Sequence, residues 1–199
     1  MNFLAHCALG GADAGLIVGG FLGDFVKGLI PTDLPTDVQR GIRLHRRVDA
    51  YSNGQPELKQ SVGRFPPELR RIAPVFVDLI ADHFLALTFE RHFGGSLAQF
   101  SQRTYAALDA YSDVLTAPAR SFRRYAEETA MFERYRKTDT VLRGFERVAA
   151  RLALGMGVAT AGARAFEAEY APLSADFERY FPDIQRHARA WIDTHPAQR

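Results

Sequence analysis

The chain has 199 residues, 47% of them hydrophobic, with a formal net charge of +2 and one cysteine, Cys7. That length and apolar content suit one globular domain that buries a core without staples, and a single cysteine excludes an intrachain disulfide. The near-balanced charge excludes the basic excess of a dedicated nucleic-acid binder, although every basic residue except Lys27, Lys59 and Lys137 is Arg.

Met1 to Gly10 carries no basic segment and only a short apolar stretch, so it does not read as a secretory signal. Leu16 to Phe25 is apolar but interrupted by Gly19, Gly20, Gly23 and Asp24, too short and too polar for a membrane span. A cytoplasmic protein is expected, since a lone thiol fits a reducing compartment. Thr36 with Gln39 reads as a capping box that opens a helix through about Asn53. Pro56 opens a short helix toward Arg64. Pro66-Pro67 begins a longer one that stops at Gly94-Gly95, with Pro74 splitting off its first turn. Ser96 with Gln99 starts a helix to about Tyr111, and Pro118 suits the first turn of the next. Thr138 caps a helix to about Leu154, broken by Gly155 and Gly157. A last helical stretch spans about Thr160 to Ile192, interrupted near Pro172 and Pro182. No sustained period-two alternation marks a strand. The expectation is an all-α, compact, single-domain helical bundle over residues 1–199, its short loops packing consecutive helices as neighbours.

Candidate chemistry concentrates in the first half. His45 and Asp49 are four apart on one predicted helix and share a face, alongside Arg43, Arg46 and Arg47. Asp78 and Asp82 are also four apart, with His83 next, in a stretch otherwise dominated by Leu79, Ile80, Phe84 and Leu85. Unpaired carboxylates there would be costly to bury. Asp24 lies among small and apolar residues, and His6 is enclosed by Phe3, Leu4, Ala5 and Cys7. Mixed imidazole and carboxylate groups suit Mn, Fe, Zn or Ni. Such an ion polarises a phosphoryl oxygen, and Arg forks grip phosphate. The plainer readings stay open: a core histidine at His6, a helix-surface pair at His45 and Asp49, a solvated face for Arg120, Arg123 and Arg124. No P-loop and no Gly-x-Ser-x-Gly elbow occurs.

Several blocks resemble the bacterial acyl carrier protein phosphodiesterases. They are Met1-Asn2-Phe3-Leu4-Ala5-His6, Gly23-Asp24-Phe25-Val26-Lys27-Gly28, Ile42 to Asp49, and Arg71-Ile72-Ala73-Pro74 with Asp78 and Asp82-His83-Phe84-Leu85. Weaker echoes lie at Tyr135-Arg136, Leu142 to Gly144 and Phe177 to Pro182. The resemblance implies a divergent HD-like metal phosphohydrolase fold, Mn(II) as the ion, and holo-acyl carrier protein, an acidic partner, as substrate. The implied reaction hydrolyses the phosphodiester between 4′-phosphopantetheine and the carrier serine, and so bears on lipid metabolism. It also implies Asp24, His45, Asp82 and His83 as catalytic and metal-holding residues, with Asp49 and His6 completing the metal set. Arg43, Arg46 and Arg47 would then hold substrate, and Asp78 would orient a ligand. Ala8 stands where the family often has a second His, and Leu87-Thr88-Phe89 replaces a frequent Arg-His-aromatic. Two other readings remain at this point: an HD-type hydrolase of a nucleotide or other small phosphodiester, and a metal-free helical module that binds the carrier.

Overall fold

In a computed structural model, which describes residues 1–196, all regular structure is helical. Eleven α-helices are formed by the described residues. The first two, α1 (Phe3–Leu9) and α2 (Ala14–Leu22), join through a turn at Gly11, whose φ of 68° favours glycine. Asp13 caps α2 by accepting from the Leu16 amide at 3.1 Å. Nearly every residue of α2 is buried, so it runs through the core.

The third helix, α3 (Thr36–Ser52), packs tightly on α2. Glycines permit this: a Cβ on Gly19 would lie 2.5 Å from the Gly41 Cα. The expected capping box at Thr36 does not form. Pro35 holds the N-cap, and the Gln39 side-chain Nε2 donates to the Leu34 and Thr32 carbonyls instead.

Next come α4 (Pro56–Gly63), a 3-10 turn at Pro67–Leu69 and the central α5 (Ala73–Phe93), with Pro74 in its first turn. The stop falls at Gly94, left-handed at φ 71°. A kink sits at Thr88, whose hydroxyl donates to the Phe84 carbonyl at 2.7 Å.

The remaining helices are α6 (Leu97–Ala110), α7 (Ala117–Glu128), α8 (Met131–Arg134), α9 (Thr138–Arg151), α10 (Met156–Ala168) and α11 (Tyr170–Thr194). Ser96 caps α6 as expected, whereas Thr138 is the first residue of α9 and makes no cap. The C-terminal stretch breaks at Glu169 and not at Pro172. Pro182 lies inside an unbroken α11, where burial of Phe177, Phe181 and Ile184 offsets the missing backbone donor. The buried side chains form one continuous core, with α5 and the inner face of α11 crossing it.

Candidate active site

Three helices meet at a polar centre. His45 and Asp49 lie one turn apart on α3, and His6 of α1 stacks on His45 with ring centroids 3.6 Å apart. Asp49 faces both rings: Oδ1 is 3.0 Å from His6 Nε2, and Oδ2 is 3.3 Å from His45 Nε2. Ligand atoms of His6, His45 and Asp49 all lie within 4.8 Å of one another.

The tautomers follow from the surroundings. His45 Nδ1 is 2.9 Å from the Gly20 carbonyl, which can only accept, so this nitrogen carries the proton. His6 is buried, and neither of its ring nitrogens has a partner in hydrogen-bonding geometry. Unsatisfied buried polar groups are costly. Two imidazoles and a carboxylate that converge in this way form a donor set suited to a divalent transition ion.

The electrostatics agree with that reading. Burial pushes the His6 pKa down to about 4, and neighbouring His45 adds to this against the pull of Asp49. His6 is therefore neutral near pH 7 and free to act as a ligand. Burial opposes ionisation of Asp49, but contact with His45 and His6 overcomes it and holds the carboxyl well below its usual range. The Met1 amine lies 2.8 Å from Asp78 Oδ1 and 3.4 Å from Asp49 Oδ1. Burial would lower its pKa, yet these carboxylates raise it to about 10.

Asp24 sits at the edge of the centre. Burial raises its pKa, while His45 and Lys27 resist the rise. The preceding Gly23 is pressed against His45: a Cβ there would lie 2.2 Å from the ring Cγ. Arg46 donates to the Val26 carbonyl at 3.0 Å, tying α3 to the segment after Asp24. Arg43 reaches Gln39 and Arg47 reaches His187. Among the described residues, Arg43, Arg46 and Arg47 make no ion pair with a carboxylate.

Asp82 and His83 do not join this cluster. Asp82 is fully buried and accepts from the Leu4 and Ala5 amides at 2.8 and 3.1 Å. Burial raises its pKa to about 7 against those two donors. His83 places Nδ1 2.6 Å from the Tyr135 carbonyl and Nε2 2.9 Å from the Tyr170 hydroxyl, and burial lowers its pKa. Adjacent side chains on a helix diverge, so Asp82 points to α1 while His83 points toward α11. Residue spacing gave no sign of the Met1 amine. Ala8 is buried in α1, and Leu87 and Thr88 line an open cavity of about 610 Å³ with Glu90, Arg91 and Arg136. None of these three residues is in the His6–His45–Asp49 group.

The class is an all-helical protein with a converging His–His–Asp centre. The family model for acyl carrier protein phosphodiesterase matches residues 1–184. A relative of that name from Yersinia pestis is 30% identical over 194 residues, 95% of this chain and 98% of the relative. Relatives of the same name from Enterobacter sp. (strain 638) and Salmonella dublin are each 35% identical, over 76% and 71% of this chain and 79% and 74% of their own lengths. The chain belongs to the acyl carrier protein phosphodiesterase family. No solved structure matches it.

Proposed function

We propose that the chain hydrolyses the phosphodiester joining 4′-phosphopantetheine to the serine of holo-acyl carrier protein. The observation that carries this reading is family membership over residues 1–184, a span that contains the whole His6–His45–Asp49 centre. In the reaction, water adds to phosphorus and the bond from phosphorus to the serine oxygen breaks. The serine oxygen takes up a proton, leaving apo-carrier and free 4′-phosphopantetheine.

His6, His45 and Asp49 would hold a divalent ion, with Mn(II) the ion we propose. When bound, that ion supplies Lewis-acid charge for a phosphoryl oxygen and makes a nearby water more acidic. Support comes from the unsatisfied ring nitrogens of His6 and the convergence of His6, His45 and Asp49. Asp24, whose pKa burial raises, would hand a proton to the departing serine oxygen. Arg43 and Arg47 are exposed and, among the described residues, pair with no carboxylate, so they can meet phosphate or the acidic surface of a carrier. Asp78 holds the Met1 amine against the centre. Asp82 and His83 support the scaffold. The setting we propose is the cytoplasm, where a lone Cys7 stays reduced.

The test is a substrate panel: holo-carrier, free phosphopantetheine diesters and cyclic nucleotides, each with Mn(II) or with chelator. Release of 4′-phosphopantetheine from holo-carrier, abolished by chelator, is expected. Hydrolysis of nucleotides with the carrier left intact would replace this reading by a small-molecule phosphodiesterase.

A further inference from the structure

We propose that Asp82 is a positioning residue that seats His6 by holding the first turn of α1 through its backbone. The proposal rests on the reading of His6 as part of the reactive centre. Helix α1 has seven residues, and helices this short do not persist on their own. Its first amides lack partners within the helix. The residue before a helix usually supplies one, but Asn2 makes no capping bond, and its side-chain Nδ2 donates to the Tyr135 hydroxyl at 3.4 Å instead.

Asp82 does that work from another helix. Oδ2 takes the Leu4 amide and Oδ1 takes the Ala5 amide, so both oxygens are engaged. The next amide, that of His6, closes the turn onto the Asn2 carbonyl at 3.1 Å. One turn earlier on α5, Asp78 grips the Met1 amine at 2.8 Å. The start of α1 is thus fixed at two levels by one face of α5. His6 follows directly, and its ring packs 3.6 Å from that of His45. A small shift of α1 would slide one ring across the other and move Nε2 away from Asp49. Asp82 has no side-chain cation against it among the described residues, and its hydrogen bonds go to the two α1 amides. A fully buried carboxylate spent on two backbone amides fixes geometry at a cost in desolvation.

The test compares Asp82→Asn and Asp82→Ala with Asp176→Ala, which removes the other fully buried aspartate at a site on the α4–α11 contact. In wild type, the Leu4 and Ala5 amide protons should resonate far downfield in nitrogen-correlated spectra, and the His6 and His45 rings should show mutual cross-relaxation. Asp82→Asn keeps one acceptor oxygen. One of the two amides should move upfield, ring cross-relaxation should weaken, and kcat on holo-carrier should fall with KM within about twofold. Asp82→Ala should lose kcat by roughly 100-fold, the scale of a reactive group displaced by about an ångström. If Asp82→Ala does not fold, Asp82→Asn decides alone. Asp176→Ala should leave both amides, the ring contact and kcat unchanged. Unaltered Leu4 and Ala5 resonances in Asp82→Asn, or an equal kcat loss in Asp176→Ala, would overturn the proposal. A wild-type protein inactive on the carrier would sink the functional reading, and the spectra would still decide the positioning.

Discussion

His6 and His45 come from helices far apart in sequence, yet their rings stack and their Nε2 atoms address opposite oxygens of the same carboxylate, Asp49. A shared carboxylate with two converging imidazoles makes the trio a unit. Each of His6→Ala and His45→Ala should weaken Mn(II) binding by at least about tenfold by titration calorimetry, since even outer partners of metal ligands cost 10–100-fold. His83→Ala, which removes a ring bound to Tyr135 and Tyr170, should leave Mn(II) affinity within about twofold. Equal losses from His83→Ala would place the ion elsewhere.

Gly23 has an ordinary helical φ of −54°, so its backbone does not require glycine. Packing does: an added Cβ would sit 2.2 Å from His45 Cγ and 2.4 Å from Nδ1. Gly23→Ala should cost about 1–3 kcal/mol of stability by overpacking. It should also lower kcat by up to roughly 100-fold by displacing His45. Denaturant melts and steady-state rates measure both. Wild-type turnover in Gly23→Ala would show that the ring has room to move.

His6 also sets a dependence on pH. Its pKa falls from 6.5 in the unfolded chain to about 4 in the fold. Between those values the unfolded chain binds a proton that the fold refuses, so this contribution to stability is full above pH 6.5 and is lost as pH falls through 4. Asp82 acts with the opposite sign over much the same range, because its folded pKa is raised to about 7. The His6 effect therefore appears as a difference between variants. From pH 7 to pH 4.5, metal-free wild type should lose more stability than His6→Gln, by on the order of 3 kcal/mol. Parallel profiles for the two proteins would mean that His6 titrates normally.

Asp176 anchors the contact between α4 and α11. It is fully buried and accepts from Ser61 Oγ, from Arg64 through two nitrogens, and from Arg179. Asp176→Ala leaves Arg64 without its main partner and should cost about 3 kcal/mol, the scale for breaking a buried ion pair. Turnover per folded molecule should stay at the wild-type level. Thermal melts together with active-site titration separate the two effects.

Part of this arrangement was legible in the sequence. The four-residue spacing of His45 and Asp49 placed both on one helix face. The stop at Gly94 and the split near Pro74 of the stretch begun at Pro66-Pro67 followed from backbone chemistry. Helix α2 was hidden because it is apolar all round and so has no periodic face. Helix α1 was hidden because it is short and its cap comes from Asp82, 77 and 78 residues away. The same long-range contact explains why adjacency of Asp82 and His83 suggested a joint ligand pair. Their divergent directions are fixed by α1 and Tyr170, which spacing along α5 cannot show. The Thr36 box failed because Pro35 and the Gln39 contacts to Leu34 and Thr32 set the start of α3 differently.

The central claim is that this His–His–Asp centre removes the prosthetic group of the carrier. Intact-mass spectrometry of holo-acyl carrier protein, incubated with Mn(II) and either wild type or Asp49→Asn, tests it most directly. Wild type should convert the carrier to its apo mass, and Asp49→Asn should leave it holo. A carrier untouched by wild type, or stripped equally well by Asp49→Asn, would contradict the account.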